Sequence, residues 1–294
     1  MTALGAVFRP QSPPEKLRSV VRTAEEAGLE ELWLWEDCFL ESGIASASAA
    51  LAWSERLRVG VGLLPVPLRN AALTTMEAAT LHRLFPGRAR LGVGHGVQDW
   101  MGQVGARAES PMTLLREHLV AMRALLRGER VTVDGRYVKL DGVALDWPPA
   151  TDPAPPAVLS GARGPRSLRL SGEVADGTVL DASTTVEGVR AARALIDEGR
   201  TRAGRTEPHS VTVYVLAATG PGAGRRLAAE LDREGLAPGA APGVAGNAGD
   251  VAAAVRRYAD AGADTVVLQS TADDEDPDAF VRFTAQEVRP LLQS

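Results

Sequence analysis

Short apolar runs alternate with longer amphipathic stretches from one end of the chain to the other. The runs are of strand length and are punctuated by Gly, Pro and Asp. The longer stretches repeat their apolar residues every three or four positions, as helices do. Residues 4–8 predict a first strand. Pro13-Pro14-Glu15 opens a helix that Gly28 ends, with Pro at the start and Gly at the stop as helix termini prefer. Residues 32–35 predict a second strand and 44–54 a helix of small residues. Between residues 57 and 96 stand a third strand, an exit rich in Gly and Pro, a third helix stopped at Gly87-Arg88, and a fourth strand. That order, with short connections, is a βαβ unit of a parallel sheet. Residues 111–128 carry Leu114, Leu115, Leu119, Met122 and Leu125 at helical spacing. Residues 131–140, with Asp134-Gly135 at their centre, predict a β-hairpin outside the repeat, and 148–156 a Pro-rich connector. Strands at 157–159, 177–180, 210–217 and 265–268 complete eight. Helices at 165–171, 185–204, 225–235, 251–262 and 277–292 separate or follow them. Residues 236–249 read as a Gly/Ala/Pro loop, with 237–248 expected to be mobile. Eight strands alternating with helices over 294 residues predict one domain, 1–294, folded as a (β/α)8 TIM barrel with small insertions.

Composition narrows the function classes. The net charge is −5 and the pI near 5.5, which gives no basic face for nucleic acid or an anionic membrane. The single cysteine, Cys38, excludes an intrachain disulfide and a Cys-rich metal site. It reads as a small buried residue rather than a nucleophile. The first residues lack a basic stretch before an apolar one, and no apolar run reaches membrane-helix length, so a cytoplasmic protein is expected.

A barrel keeps its chemistry at the C-terminal ends of its strands. The second strand ends Trp33-Leu34-Trp35-Glu36-Asp37-Cys38. Alternation puts Trp33, Trp35 and Asp37 on one face and Leu34 and Glu36 on the other. An acid there can orient or protonate a ligand heteroatom, or simply cap a helix. The third strand ends Gly60-Val61-Gly62-Leu63-Leu64-Pro65. Two glycines weaken a buried strand and predict a bulge or a close backbone approach. Asn70 stands where a helix cap or a ligand contact would be. The fourth strand ends Gly92-Val93-Gly94-His95-Gly96-Val97. Its glycines would let the backbone approach a bulky planar ligand, with His95 at the mouth. A dinucleotide fingerprint is excluded, because Val97 stands where its third glycine belongs and the next helix is too distant. Trp100 and Met101 follow in a loop that is either a lid or an anchor. Gly161-Ala162-Arg163-Gly164-Pro165 is a Gly-rich turn into a helix. Free N–H groups at such a start bind anions, and Arg163 or Arg166 would add charge. Asp176-Gly177 reads as the turn feeding the sixth strand. The four histidines, at 82, 95, 118 and 209, are scattered and predict no metal site.

Residues 57–96 and 161–177 resemble the luciferase-like monooxygenase family, and the resemblance runs from residue 4 to 268. It implies a barrel that binds a flavin or deazaflavin ring at the mouth. In the branch that uses coenzyme F420, the third strand carries a bulge with a non-prolyl cis peptide, which falls here at Gly62-Leu63. Leu64 and the residues after it would close over the ring. Asp37 matches an acid near the ring and is the first choice of proton donor, with His95 beside it. Cys38 stands where a histidine often follows that acid, and Val97 where one sugar-phosphate dehydrogenase branch has a glutamate, which argues against that reaction. The resemblance assigns cofactor contacts to Asp37, Gly62, Leu63, Leu64, His95 and Gly96, and phosphate binding to Gly161, Ala162, Arg163, Gly164 and Pro165. The activity it implies is hydride transfer between F420 and a small organic substrate. Its alternatives are an FMN-dependent monooxygenase using O2 and a barrel that binds a ligand without turnover. The partner is a small molecule, with a homodimer among the open states of assembly.

Overall fold

The structure, a computed structural model, describes residues 2–151, 154–236 and 242–293. Its strands are β1 (Ala3–Val7), β2 (Glu31–Leu34), β3 (Arg58–Pro65), β4 (Ala89–Gly94), β5 (Val131–Asp134), β6 (Lys139–Val143), β7 (Val158–Gly161), β8 (Gly177–Leu180), β9 (Ser210–Ala218), β10 (Val244–Ala245) and β11 (Thr265–Gln269). Eight of these close a parallel barrel in the order β1, β2, β3, β4, β7, β8, β9, β11. The β8–β9 and β11–β1 pairings complete the ring. The expected (β/α)8 barrel is therefore the fold. The antiparallel pair β5–β6 lies outside it. Three backbone N–H groups of the turn beside β6, at residues 136–138, donate to Glu117.

Parity along the strands sorts the core into two layers. Leu4, Ala6 and Phe8, Leu32 and Leu34, Val59 and Val61, and Leu91 and Val93 face outward and pack under the helices. Val7, Trp33, Leu159, Val179, Tyr214 and Val267 face inward, with Trp35 and Leu63 at their edge. The Leu17–Ala27 helix shows the outer match: Leu17, Val20, Val21 and Ala24 are buried, and Gly28 stops the helix at φ 75°.

Two expectations are corrected. The single closing helix is broken into Pro277–Arg282, a π turn over Phe283–Val288, and Arg289–Leu292. Pro290 has no N–H for the carbonyl four residues back, and the wider turn lies just ahead of it. The loop expected at 236–249 contains β10, and Asn247 caps the Ala248–Asp260 helix by accepting from the N–H groups of Gly249 and Asp250. The part of the mobility expectation that falls on 237–241 lies outside the described residues.

Candidate active site

The mouth is built where β2, β3, β4 and β7 end. Trp33 pairs in register with Gly60 and Leu34 with Val61, so Trp35 comes level with Gly62. Between Val61 and Leu64 the β3–β4 register shifts, the expected bulge, and the Gly62-Leu63 peptide is cis. A second non-prolyl cis peptide, Cys38-Phe39, follows the end of β2 and was not foreseen.

Asp37 is half-buried just beyond Trp35, and its carboxylate has no hydrogen-bond partner among the described residues. Burial pushes its pKa up, the charge of Arg9 opposes, and Glu234 adds to the rise. Arg9 ends β1. It pairs with Glu230 at 2.7 Å, a carboxylate only 1% exposed, and donates to the Ser270 carbonyl at 2.7 Å. Glu230 also receives Arg233 and the Ala272 N–H. A cavity of about 370 Å³ opens beside Arg9, between the loops after β1 and β11. Neither Arg9 nor Glu230 was singled out from the sequence, although Arg9 follows the first strand at inward parity. Glu36 takes the opposite face, as alternation predicts. It pairs with Arg69 and accepts from the Gly43 N–H at 2.8 Å.

Cys38 is half-buried rather than buried, and burial, then the charges of Glu36 and Asp37, push its thiol up. That disfavours the reactive thiolate. Leu64 is withdrawn from the mouth: its side chain is 1% exposed and packs in the outer layer near the start of the Gly43–Ala52 helix. Leu63 is the residue that turns inward, because the bulge shifts the parity of the strand by one.

The glycines of β4 have a different occupant from the planar ligand expected there, and Gly161 of β7 shares it. A Cβ on Gly92, Gly94 or Gly161 would come within 3.0, 2.6 and 2.2 Å of the Leu63 side chain. The notch they leave is filled by Leu63, not held open for a ligand. His95 is half-buried after β4, its Nδ1–H donating to the Gly96 carbonyl at 3.0 Å, which leaves Nε2 as the acceptor. Gly96 has φ 70°, and a Cβ there would press on Met101 and Pro65. Met101 is wholly buried within the Gln98–Gln103 helix, so this segment is anchored to the body. Asn70 caps the Ala71–Leu84 helix through the Ala72 N–H.

The turn after β7 satisfies most of its own donors. The Ala162 N–H goes to the Val179 carbonyl, and the N–H groups of Arg163 and Gly164 both go to Ser167 Oγ. Arg163 is paired with Asp181 at 2.5 Å. The unengaged N–H groups lie just beyond the expected Gly161–Pro165 segment: those of Arg166 and Ser167, at the start of the Pro165–Val174 helix, have no acceptor among the described residues. Asp176 is structural: Arg123 and Arg205 bind it, and its pKa is lowered by them against the cost of burial.

Comparison with known proteins matches this geometry to a family. The luciferase-like monooxygenase profile matches residues 2–232. A 5,10-methylenetetrahydromethanopterin reductase of Methanolobus tindarius is 32% identical over 214 residues, 72% of this chain. The match spans 64% of that relative's length, and 61% for the enzyme of the same name from Archaeoglobus fulgidus. Among solved structures, the coenzyme F420 dependent tetrahydromethanopterin reductase from Methanopyrus kandleri superposes with a TM-score of 0.83 at 22% identity, over 99% of each chain. The oxygenating constituent of 3,6-diketocamphane monooxygenase from Pseudomonas putida, in complex with FMN, superposes with a TM-score of 0.76 at 16% identity, over 99% of this chain and 98% of that one. A barrel of this order, with a bulge at the third strand and a profile match over most of its length, belongs to the luciferase-like monooxygenase family.

Proposed function

We propose that the protein is an oxidoreductase that uses coenzyme F420 and acts on a small organic substrate. The observation that carries the reading is the half-buried, unpartnered carboxyl of Asp37, with its raised pKa, at the same mouth as the Gly62-Leu63 bulge. The residues fit a planar ring. Leu63 and Trp35 edge the inner apolar cluster and are only partly covered, and the Trp35 indole N–H is buried without a hydrogen bond of normal geometry among the described residues. F420, when bound, supplies hydride chemistry at the deazaflavin C5. Leu63 and Trp35 orient and dry the ring site, and His95 Nε2 offers an acceptor at its edge. Asp37 holds a proton on its carboxyl for a substrate heteroatom. The N–H groups of Arg166 and Ser167 and the exposed Arg166 guanidinium are the donors left for a phosphate.

An FMN-dependent monooxygenase is the second reading. The observation on its side is the pair of arginines, Arg163 and Arg166, beside the helix start, which a compact terminal phosphate would favour. Arg163 is already engaged by Asp181, which weakens that reading and suits a longer, more loosely held tail. Titration of the purified protein with F420 and with FMN separates the two. We expect F420 to bind at least about tenfold more tightly, with no substrate-dependent oxygen uptake. Tight FMN binding with substrate-dependent oxygen uptake would move the assignment to the monooxygenase. Binding of neither ring would leave a ligand-binding barrel without this chemistry.

A further inference from the structure

Tyr214 stands in the middle of the barrel on β9, 4% exposed, and the proposed chemistry does not use it. Its ring meets Trp33 edge-on, with centroids 5.9 Å apart, and Trp35 likewise at 5.6 Å. Its hydroxyl reaches across the barrel and donates to the Gly62 carbonyl at 3.3 Å. The Trp35 indole N–H is buried beside the same ring. Burial raises the phenol well above its ordinary range, so the O–H remains a donor wherever the protein is folded.

The bulge is shaped against this group. A Cβ on Gly62 would sit 2.3 Å from Tyr214 Oη, so the tyrosine requires the glycine. The next residue, Leu63, then lies in the notch of Gly92, Gly94 and Gly161. A chain of contacts thus runs from β9 through β3 to β4 and β7, and it ends in the side chain that edges the mouth.

We propose that Tyr214 is a positioning residue. Its hydroxyl holds the Gly62 carbonyl so that Leu63 forms the floor of the ring site, and ring affinity is set partly from the far wall of the barrel. The proposal rests on the reading of the mouth as a deazaflavin site. Tyr214 acts through the β3 backbone and needs no contact with the ring.

The test is a double-variant cycle in the full chain, with Tyr214→Phe and Gly62→Ala made singly and together. Two quantities are read: the thermal midpoint without ligand, and F420 affinity by fluorescence titration. Tyr214→Phe is expected to weaken F420 binding by about five- to tenfold, the scale of one hydrogen bond, with little change in midpoint. Gly62→Ala is expected to lower both sharply. The double variant should recover midpoint relative to Gly62→Ala alone, because the added methyl no longer meets an oxygen. Unchanged F420 affinity in Tyr214→Phe would overturn the proposal, and so would simple addition of the two losses. If the wild type binds neither F420 nor FMN, the proposed function fails separately. The midpoint coupling between positions 62 and 214 then decides whether Tyr214 holds the bulge.

Discussion

Burial acts on Asp37 and on His118 with opposite signs. Burying the Asp37 carboxyl disfavours its charged form and raises its pKa above the ordinary 3.8. The folded state therefore holds the extra proton, and the stability this contributes is full below the unfolded pKa and lost as pH rises through the folded one. Asp37→Asn should be more stable than wild type at neutral pH and no different in strong acid, by urea unfolding. It should also lower kcat by about 10²-fold or more, the lower range for a proton donor, with KM little changed. Full turnover in this variant would remove Asp37 from the chemistry. His118 is 1% exposed and neither ring nitrogen has a partner among the described residues; burial lowers its pKa to about 4. The stability linked to its neutral form is full above 6.5 and lost as pH falls through about 4, by an amount on the order of 3 kcal/mol. His118→Leu removes two unpaired nitrogens. We expect a gain of about 1–3 kcal/mol and a shallower acid limb; an unchanged limb would show that His82 and His209, both also lowered to about 4, carry it.

At the scale of elements, glycines decide how closely the pieces approach. The Pro165–Val174 and Val186–Arg202 helices cross at Gly172 and Gly199. A Cβ on Gly172 would lie 2.1 Å from the Ile196 carbonyl oxygen, and one on Gly199 2.1 Å from that of Arg169. Both obstacles are backbone, so a whole helix must move. Gly199→Ala should cost about 2 kcal/mol or more, despite the helix propensity of alanine. Gly224, in the Ala223–Arg233 helix, has nothing among the described residues within 4 Å of its Cβ position, and Gly224→Ala should gain a few tenths to about 1 kcal/mol. Equal effects at the two sites, by chemical denaturation, would dismiss close approach as the cause. The same residue type marks what was and was not legible in the sequence. Strand parity announced the inward placing of Trp33, Trp35 and Asp37, because it is a local, period-2 property. Two glycines in a buried strand announced the bulge. What fills the space beside a glycine is not local: Trp33 lies against Gly60, Tyr214 against Gly62, and Leu63 against Gly92, Gly94 and Gly161. Sequence alone therefore makes the β4 glycines look like room for a ligand. For the same reason Ser167, which takes up the N–H groups of Arg163 and Gly164, and Asp181, which engages Arg163, were invisible before the loops were in place.

Across the whole molecule the barrel has two ends with separate duties. At the N-terminal end Glu31, fully buried, accepts from Arg58 at 3.1 Å and from the Trp33 indole at 2.9 Å, and pairs with Arg90 at 2.9 Å. These groups tie β2, β3 and β4 together below the inner apolar layer, while Asp37, Leu63 and His95 stand above it. Stability at the bottom and chemistry at the top is the division expected of such barrels. Glu31→Gln tests it. Removing one partner of a buried ion pair typically costs 3–5 kcal/mol. Arg58 and Arg90 keep 36% and 31% exposure, which lets water screen them and lowers the expected cost to about 2 kcal/mol. Urea unfolding should show that loss, while F420 affinity of the folded protein stays within about twofold of wild type. The alternative has a physical route: Trp33 hydrogen-bonds Glu31 with its indole and packs edge-on against Tyr214, whose hydroxyl holds Gly62. If Glu31→Gln weakened F420 binding without the loss of stability, Trp33 would be carrying the bottom of the barrel into the mouth, and the two ends would not be independent.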